Sequence, residues 1–287
     1  MKKMHDFLAE FPLHLVIIVI TLIWITPSVG VIVNSLRPAQ RMRASGWWTV
    51  FVNPFEFTKW TLENYETVLE SQGLAIAFRN SLFIAIPGTI LPIIVAAAAA
   101  YAFAWMEFPG RRLLFSIVVG MLVVPLQMTF VPIYTIFTKL DLNGTFLAIW
   151  LAHTGYGLPF AIYLLRNFFG SLPSELFESA FLDGASFFTA FLRLALPLSV
   201  PSLASLAIFQ FLWVWNDLLV ALIYLGGTPE VAPLTVRVAN LVNSLGANWY
   251  LLPAAAVVSM ILPLIVFFSL QRFFVRGILA GSVKGAG

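Results

Sequence analysis

Six long runs of apolar residues constrain this chain more than any other feature of its sequence. Each run approaches the roughly 20 residues that a helix needs to cross the hydrocarbon core of a bilayer. The runs cover residues 13–33, 81–105, 113–137, 145–165, 198–224 and 252–270. They show no alternation with a period of two, so they predict helices and not the strands of a barrel. We therefore expect an all-α membrane protein with about six transmembrane helices.

The composition agrees with this fold class and excludes several kinds of chemistry. Of the 287 residues, 60% are hydrophobic and 10% are charged, whereas a soluble domain has about 25% charged residues. The chain has no cysteine, which excludes disulfides and thiolate metal sites. No G-x-x-x-x-G-K-[ST] phosphate loop or H-E-x-x-H zinc motif occurs. The few basic residues are dispersed, so nucleic-acid binding is not expected either.

A polar, acidic insertion separates the fourth and fifth apolar runs. It spans residues 175–197 and predicts two short helices, 174–182 and 186–194, which meet at Asp183-Gly184. Phe177, Ala180 and Phe181 lie at helical neighbour spacings and would form an apolar knob, while Glu178 and Asp183 would make charged contacts. Alternatively, the two phenylalanines pack on the chain's own bundle and Glu178 faces solvent. The first interpretation predicts a docking site for a soluble partner.

Polar side chains within the apolar runs form a second group of candidates. An ionisable side chain in hydrocarbon is costly and usually faces a cavity or a partner, and Asp217 is the most prominent case. Hydroxyl and amide groups can bind the polar groups of a solute, and aromatic faces can stack on its apolar parts. The candidate residues for a substrate pathway are Asn216, Asp217, Trp213, Gln127, Tyr134 and His153. The alternative for each is a packing role, an interhelical hydrogen bond or a place at the membrane interface.

The sidedness of the chain follows only weakly from its charges. An even number of spans places both termini on one side, and the positive-inside rule favours a cytoplasmic N terminus. That side would hold Lys2, Lys3, Arg111, Arg112, Arg166, Arg193, Arg272, Arg276 and Lys284. Arg37, Arg41 and Arg43, which follow the first run, argue for the opposite orientation.

The acidic insertion also carries a recognisable motif. Glu178-Ser179-Ala180, three residues, Gly184, nine residues and then Leu194-Ala195-Leu196-Pro197 resemble the E-A-A, x3, G, x9, I-x-L-P signature of permease subunits in binding-protein-dependent ABC importers. Ser179 replaces an alanine of the signature and Leu194 replaces its isoleucine. Asp183-Gly184-Ala185 is similar to the carbohydrate-uptake branch of these permeases. Residues 62–65, 80–81, 215–217 and 271–285 further resemble the second permease of maltose-type importers.

The resemblance implies a single permease domain over residues 1–287 with a defined topology. Residues 35–80 would form an extracytoplasmic loop, residues 166–197 a cytoplasmic coupling loop and residues 271–287 a cytoplasmic tail. Both termini would be cytoplasmic, in a multi-pass protein of a prokaryotic cytoplasmic (inner) membrane. The residues that would couple to the ATPase are Glu178, Ser179, Ala180, Phe181, Asp183 and Gly184.

The same resemblance implies the partners and the substrate class. The chain would pair with a homologous second permease, two ATP-binding subunits and an extracytoplasmic sugar-binding protein. It would be non-catalytic and bind no cofactor itself, because ATP and Mg²⁺ would be held by the ATPase subunits. The expected substrate is an oligosaccharide, a glucoside or a related polyol.

Two other functions are compatible with the intramembrane polar residues. A secondary transporter coupled to protons or cations would use Asp217 or His153 as a relay, but it would not need the polar insertion at residues 175–197. An intramembrane hydrolase with His153 or Asp217 in catalysis would need a nucleophile, a base and an orienting group. The sequence offers no recognisable set of these three.

Overall fold

The computed structural model describes residues 2–52, 54–242 and 246–282, and within these ranges the chain is helical without any β-strand. The α-helices, numbered along the chain, are α1 (Lys2–Ser35), α2 (Ala39–Ala44), α3 (Glu63–Glu66), α4 (Leu74–Trp105), α5 (Arg111–Met121), α6 (Phe130–Lys139), α7 (Phe146–Phe169), α8 (Ser174–Leu182), α9 (Phe187–Ala190), α10 (Leu196–Leu198), α11 (Val200–Trp215), α12 (Leu219–Tyr224), α13 (Leu234–Ala239) and α14 (Leu252–Ser282).

Four helical segments are long and apolar enough to cross a membrane on their own. They are Phe11–Ser35, Leu74–Trp105, Phe146–Phe169 and Trp249–Arg272. Two further spans are bent pairs: Arg111–Met121 with Leu126–Lys139, and Phe187–Leu198 with Val200–Trp215. Counting each pair as one span gives up to six. The predicted all-α membrane fold is therefore confirmed.

The third span is broken, whereas the sequence predicts a continuous helix over residues 113–137. Helix α5 ends at Met121, and the two parts of the span meet at an angle of 100°. Pro125 lies at the break in extended conformation, with a ψ of 124°. Proline lacks an amide donor and disfavours helical backbone in the residue before it, which explains why the helix ends here.

The fifth span, Phe187–Leu198 with Val200–Trp215, is bent by 74°, whereas the sequence predicts one continuous helix over residues 198–224. Helix α11 ends at Trp215, and α12 begins only at Leu219. The Asp217 carboxylate accepts hydrogen bonds from the amides of Val220 at 3.2 Å and Ala221 at 2.9 Å. A side chain that binds the free amides of the next helix competes with helix continuation, so Asp217, one residue before the N-cap Leu218, holds the first turn of α12.

The last helix is longer than expected. Helix α14 continues to Ser282, so most of the expected tail at residues 271–287 is helical. Residues 283–287 lie outside the described residues. Helix α4 likewise begins at Leu74, seven residues before the apolar run that predicts it at residue 81. In both cases the helix extends beyond the hydrophobic run because helical backbone does not require apolar side chains.

One compact unit comprises residues 1–75 and 238–260. Its largest fully buried side chain is Arg37, which is 2% exposed and lies directly after α1. The guanidinium donates to the hydroxyl of Ser45 at 2.8 Å. The amide of Asn64 donates to the carbonyls of Ser35 and Arg37. These bonds satisfy the polar groups of the turn that follows α1, as a buried turn requires.

The second unit comprises residues 76–237 and 261–287 and contains a hydrophobic core. Its buried residues are Ala96, Ala97, Ala100, Tyr101, Ala161, Ile162, Leu165, Phe169, Phe177, Ala190, Ala195 and Leu206. Small residues allow the backbones of membrane helices to approach closely. Gly157 is one such contact, because a Cβ atom at this position would lie 2.7 Å from the Gln210 amide. Gln210 in turn donates to the Gly88 carbonyl, so it links α11 to α4.

The N-terminal part of α4 holds the segment before α13. The buried Asn80 amide donates to the carbonyls of Glu230 at 2.9 Å and Ala232 at 3.2 Å. The neighbouring Ser81 hydroxyl accepts from the Leu234 amide at 2.8 Å. These three bonds satisfy backbone groups of an irregular segment that would otherwise lack partners.

We predict that Asn80→Ala destabilises this segment, because it leaves the carbonyls of Glu230 and the buried Ala232 without this donor. The expected cost is about 1–3 kcal/mol. Thermal unfolding of the purified protein in detergent measures it, and Arg79→Ala, which changes the exposed neighbour, is the matched control. Equal unfolding temperatures for the two variants would contradict the assigned role of Asn80.

Candidate functional site

The polar insertion folds as the predicted helical hairpin. Helix α8 spans Ser174–Leu182, the same residues as the first predicted helix. The second helical stretch begins after Ser186, whose hydroxyl accepts from the Thr189 amide at 3.1 Å. This is a typical N-cap, which satisfies an amide that has no partner within the helix. We call residues 174–198 the hairpin from here on.

A left-handed glycine connects the two helices of the hairpin. Gly184 has a φ of +83°, and a Cβ atom added to it would meet nothing within 4 Å. The amides of Gly184 and Ala185 donate to the carbonyls of Phe181 and Ala180. These are the bonds that close the C terminus of a helix on a glycine turn. Gly184 is therefore required for its backbone conformation and not for lack of space.

Phe177 lies on the inner side of the hairpin, which corrects its place in the predicted apolar knob. Its side chain is fully buried. The ring stacks on Trp105 at the end of α4, with centroids 3.9 Å apart and planes inclined by 22°. The Trp105 indole donates to the Phe169 carbonyl at 3.1 Å, which fixes its orientation. The alternative that Phe177 packs on the chain's own bundle is therefore correct.

Phe181 takes an intermediate position, and two apolar residues that sequence reasoning missed are exposed. The Phe181 ring is half-buried and lies 5.0 Å from that of Phe187. Leu182 is 89% exposed and Phe188 is 69% exposed. Because Leu182 lies four residues after Glu178, the helical period places both on one face. That spacing was the sequence signal available for Leu182.

The predicted coupling residues surround these two apolar side chains. Glu178, Ser179, Asp183 and Gly184 are exposed, and Ala180 is half-buried. The exposed surface of the hairpin thus combines large apolar groups with the carboxylates of Glu175, Glu178 and Asp183. Such a surface suits a groove of matching shape in a partner protein.

A second feature is a polar cleft between the broken third span and the end of α11. It has a volume of about 430 Å³ and is lined by Leu126, Gln127, Phe130, Trp213, Asn216, Asp217, Leu218, Leu219 and Val220. Gln127, Trp213, Asn216 and Asp217 are four of the residues predicted for a substrate pathway. The two departures from continuous helix, at Pro125 and at Asp217, border this cleft. The breaks therefore bring the polar residues together.

Asp217 and His153 are neighbours, although His153 does not line the polar cleft. The His153 Nε2 atom lies 3.8 Å from the Asp217 Oδ2 atom, beyond hydrogen-bond distance. The imidazole is fully buried and contacts the edge of Trp213, with centroids 5.4 Å apart. Since the Asp217 carboxylate already caps α12, the structure gives it a structural role next to the cleft.

Tyr134 lies apart from the other candidates. It is 45% exposed on α6, and it is not among the residues of the polar cleft. Two other tyrosines, Tyr156 and Tyr224, connect helices near the cleft, and their hydroxyls lie 2.8 Å apart. Thr129 extends this chain with a 2.9 Å bond to Tyr156. The three hydroxyls join the broken third span, α7 and α12.

A family of known proteins matches most of this chain. Residues 88–279, which include the hairpin and the polar cleft, match the family described as "Binding-protein-dependent transport system inner membrane component". The chain belongs to this family. The predicted resemblance to permeases of binding-protein-dependent ABC importers is thereby confirmed. A secondary transporter and an intramembrane hydrolase gain no support from this membership.

Individual members of the family extend the match over almost the whole chain. The osmoprotective compounds uptake permease protein GgtD of Synechocystis sp. is 59% identical over 99% of this chain and 95% of the relative. The alpha-glucoside transport system permease protein AglG of Rhizobium meliloti is 52% identical over 86% of this chain and 66% of the relative. A solved bacterial ABC transporter that imports the polysaccharide alginate has a TM-score of 0.73, with 18% identity and coverage of 93% and 96%. At that identity the likeness concerns the fold alone.

For this permease we predict that Phe177→Ala loosens the hairpin. Removing a buried phenylalanine costs about 3–5 kcal/mol, part of which reflects the cavity that remains. Hydrogen exchange of residues 174–182 should become faster, whereas Phe188→Ala, which removes an exposed ring, should leave it unchanged. Unchanged exchange in Phe177→Ala would show that the stack on Trp105 does not hold α8.

Proposed function

We propose that the chain is one of two permease subunits in an ATP-driven importer of sugars or sugar-like solutes. The observation that carries this proposal is the hairpin, which presents Leu182, Phe188 and three carboxylates at one end of a bundle of this family. An exposed surface of this kind needs a soluble partner. The ATP-binding subunit is the partner that the importer supplies.

The hairpin transmits movement because its outer face is exposed to a partner, whereas its inner side packs on the bundle through Phe177. Glu178, Ser179 and Asp183 contact the ATPase, while Leu182 and Ala180 enter its groove. Phe177 transfers any displacement to Trp105 and so to the end of α4, since the two rings are stacked. Closure of the ATPase subunits then shifts the bundle between outward-open and inward-open states through differential contacts.

Catalysis takes place in the partner subunits. The sequence carries no Walker phosphate loop, so ATP and Mg²⁺ are bound by the ATPase pair. This chain binds no cofactor of its own and supplies the pathway and the mechanical connection. This subunit therefore responds to ATP through the contacts between the ATPase and the hairpin, and it needs no nucleotide site of its own.

A homologous second permease completes the pathway. Residues 11–28 of α1 are exposed, and Trp24 is 79% exposed, so this helix has a large apolar surface available for lipid and for a partner. The polar cleft likewise opens on one side and needs a facing wall. Pairing with a second permease encloses the solute between the two subunits.

The polar cleft is the candidate part of the substrate pathway in this subunit. Its volume of about 430 Å³ is within the range of small-molecule sites. Trp213 offers a face for a pyranose ring, and Gln127 and Asn216 offer amides for hydroxyl groups. The names of the relatives refer to osmoprotective compounds and to alpha-glucosides. A glucoside or a related polyol is therefore the proposed solute.

The proposed location is a prokaryotic cytoplasmic membrane with both termini in the cytoplasm. Residues 166–197 then face the ATPase, and residues 35–80 face outward. An extracytoplasmic sugar-binding protein delivers the solute on that side. A solved alginate transporter with a TM-score of 0.55 is described in complex with a periplasmic protein that holds an alginate pentasaccharide.

Gly184→Val tests the coupling role of the hairpin. Valine at a φ of +83° is strained by about 1–3 kcal/mol, so the turn will shift. We expect normal membrane insertion and assembly, with ATPase activity that no longer drives uptake. Radiolabelled solute uptake and ATP hydrolysis by the reconstituted complex measure the two quantities.

Gly144→Val is the matched control for this experiment. Gly144 has a φ of +81° and equally free space around a Cβ atom, but it lies between α6 and α7. It imposes the same backbone strain outside the hairpin. Equal loss of coupled uptake in both variants, or full coupling in Gly184→Val, would disprove the coupling role.

Trp213→Ala tests the substrate role of the polar cleft. Loss of a stacking face should raise the KM for uptake roughly 3- to 10-fold without changing assembly. Tyr134→Phe is the comparison, because this candidate lies outside the cleft and should leave the KM unchanged. A similar KM for Trp213→Ala and the unmodified protein would place the sugar contacts elsewhere.

A further inference from the structure

A basic cleft lies apart from both the hairpin's outer face and the polar cleft. It has a volume of about 860 Å³, and its lining includes Arg111, Arg112, Arg166 and Glu107. Three guanidinium groups against one carboxylate give the cleft a positive charge. Neither the coupling role nor the solute pathway makes use of it.

The three arginines are not neutralised by the chain itself. In the part of the chain that the structure describes, no carboxylate oxygen lies within 4.0 Å of their nitrogens. Arg111 donates to the carbonyls of Met106 and Ala104, which end α4. Arg112 is exposed, and all of its donors remain available for a ligand. Glu107 lines the cleft without forming an ion pair with any of them.

Arg166 is held above an aromatic ring. Its guanidinium carbon lies 5.0 Å from the centroid of Phe115, which is a cation–π distance. A guanidinium in this position is kept from turning into solvent and still presents donors to the cleft. Its planar donor fork suits the oxygen atoms of a phosphate group.

The position of the basic cleft along the spans points to a lipid. It lies where α4 ends, α5 begins and α7 ends, at one end of three membrane-spanning segments. Phe103, Phe108 and Phe115 also line it. Arginines mixed with aromatic rings are typical of the level of the lipid headgroups.

An apolar surface continues from the basic cleft along α5. Leu113 is 66% exposed, Leu114 is 48% exposed and Ile117 is 52% exposed. A ligand with a charged head at Arg112 and apolar chains along these residues would match both surfaces. A free anion would contact only the basic cleft. An acidic peptide segment would leave the apolar surface of α5 uncovered.

We propose that the basic cleft binds the phosphate headgroup of an anionic phospholipid, with its acyl chains along α5. Clusters of basic residues beside a membrane span recognise such lipids because each charge adds to the attraction. Trp105 stacks on Phe177, so the cleft lies at the same end of the bundle as the hairpin. The leaflet is cytoplasmic, and only that assignment depends on the proposed function.

The test is native mass spectrometry of the purified complex titrated with phosphatidylglycerol and, separately, with phosphatidylcholine of the same acyl chains. The unmodified protein should bind phosphatidylglycerol more tightly. The double variant Arg112→Gln with Arg166→Gln should weaken this binding about tenfold or more, because it removes two charges. Arg43→Gln with Arg79→Gln, which changes two exposed arginines elsewhere, is the control and should bind as the unmodified protein does.

The single variant Arg112→Gln shows whether a loss of lipid binding could come from misfolding. The Arg112 side chain is exposed, so its replacement should not affect packing. It should weaken phosphatidylglycerol binding by itself. Equal affinity for both lipids, or unchanged affinity in the double variant, would overturn the proposal. Displacement of the lipid by millimolar inorganic phosphate would show a free-anion site instead. None of these measurements uses transport or ATP hydrolysis, so they stand independently of the proposed function.

Discussion

Every backbone amide and carbonyl that lies in hydrocarbon must find a partner within the protein, and the rest of this structure depends on that constraint. Continuous helix satisfies it in most of the spans. Where helix stops, a side chain takes the place of the helical carbonyls: the Asp217 carboxylate accepts from the amides of Val220 and Ala221 in α12. The interruption between α11 and α12 is possible because Asp217 binds amides that would otherwise lack partners.

The sequence predicted those parts of the structure that local interactions determine. The end of α8 and the turn at Gly184 follow from a local signal, the Asp183-Gly184 pair, since glycine tolerates the backbone angles of a sharp turn. The inward position of Phe177 does not follow in this way, since its burial depends on Trp105, far away in the sequence. Leu182 was missed for the same reason: which face of α8 is outer depends on where Phe177 packs.

The broken spans illustrate a different limit. Aspartate at 217 was recognised as unusual from the sequence, but Pro125 was not, because prolines also occur within continuous membrane helices, as Pro87 and Pro92 do in α4. Whether a helix ends depends on the partners available to the freed backbone groups. These partners come from the fold. Gln127, Trp213, Asn216 and Asp217 were therefore identifiable by residue type, whereas their convergence on one cleft required the structure.

Helix α4 connects the separate parts of the molecule that a transporter must move together. Near its start, Asn80 and Ser81 hold the segment before α13, and in its middle the Gly88 carbonyl accepts from Gln210 of α11. At its end, Trp105 stacks on Phe177 of the hairpin. A helix of 32 residues is about 48 Å long. A displacement of α8 therefore reaches α11, which borders the polar cleft, through one continuous element and two direct contacts, as physical coupling between distant sites requires.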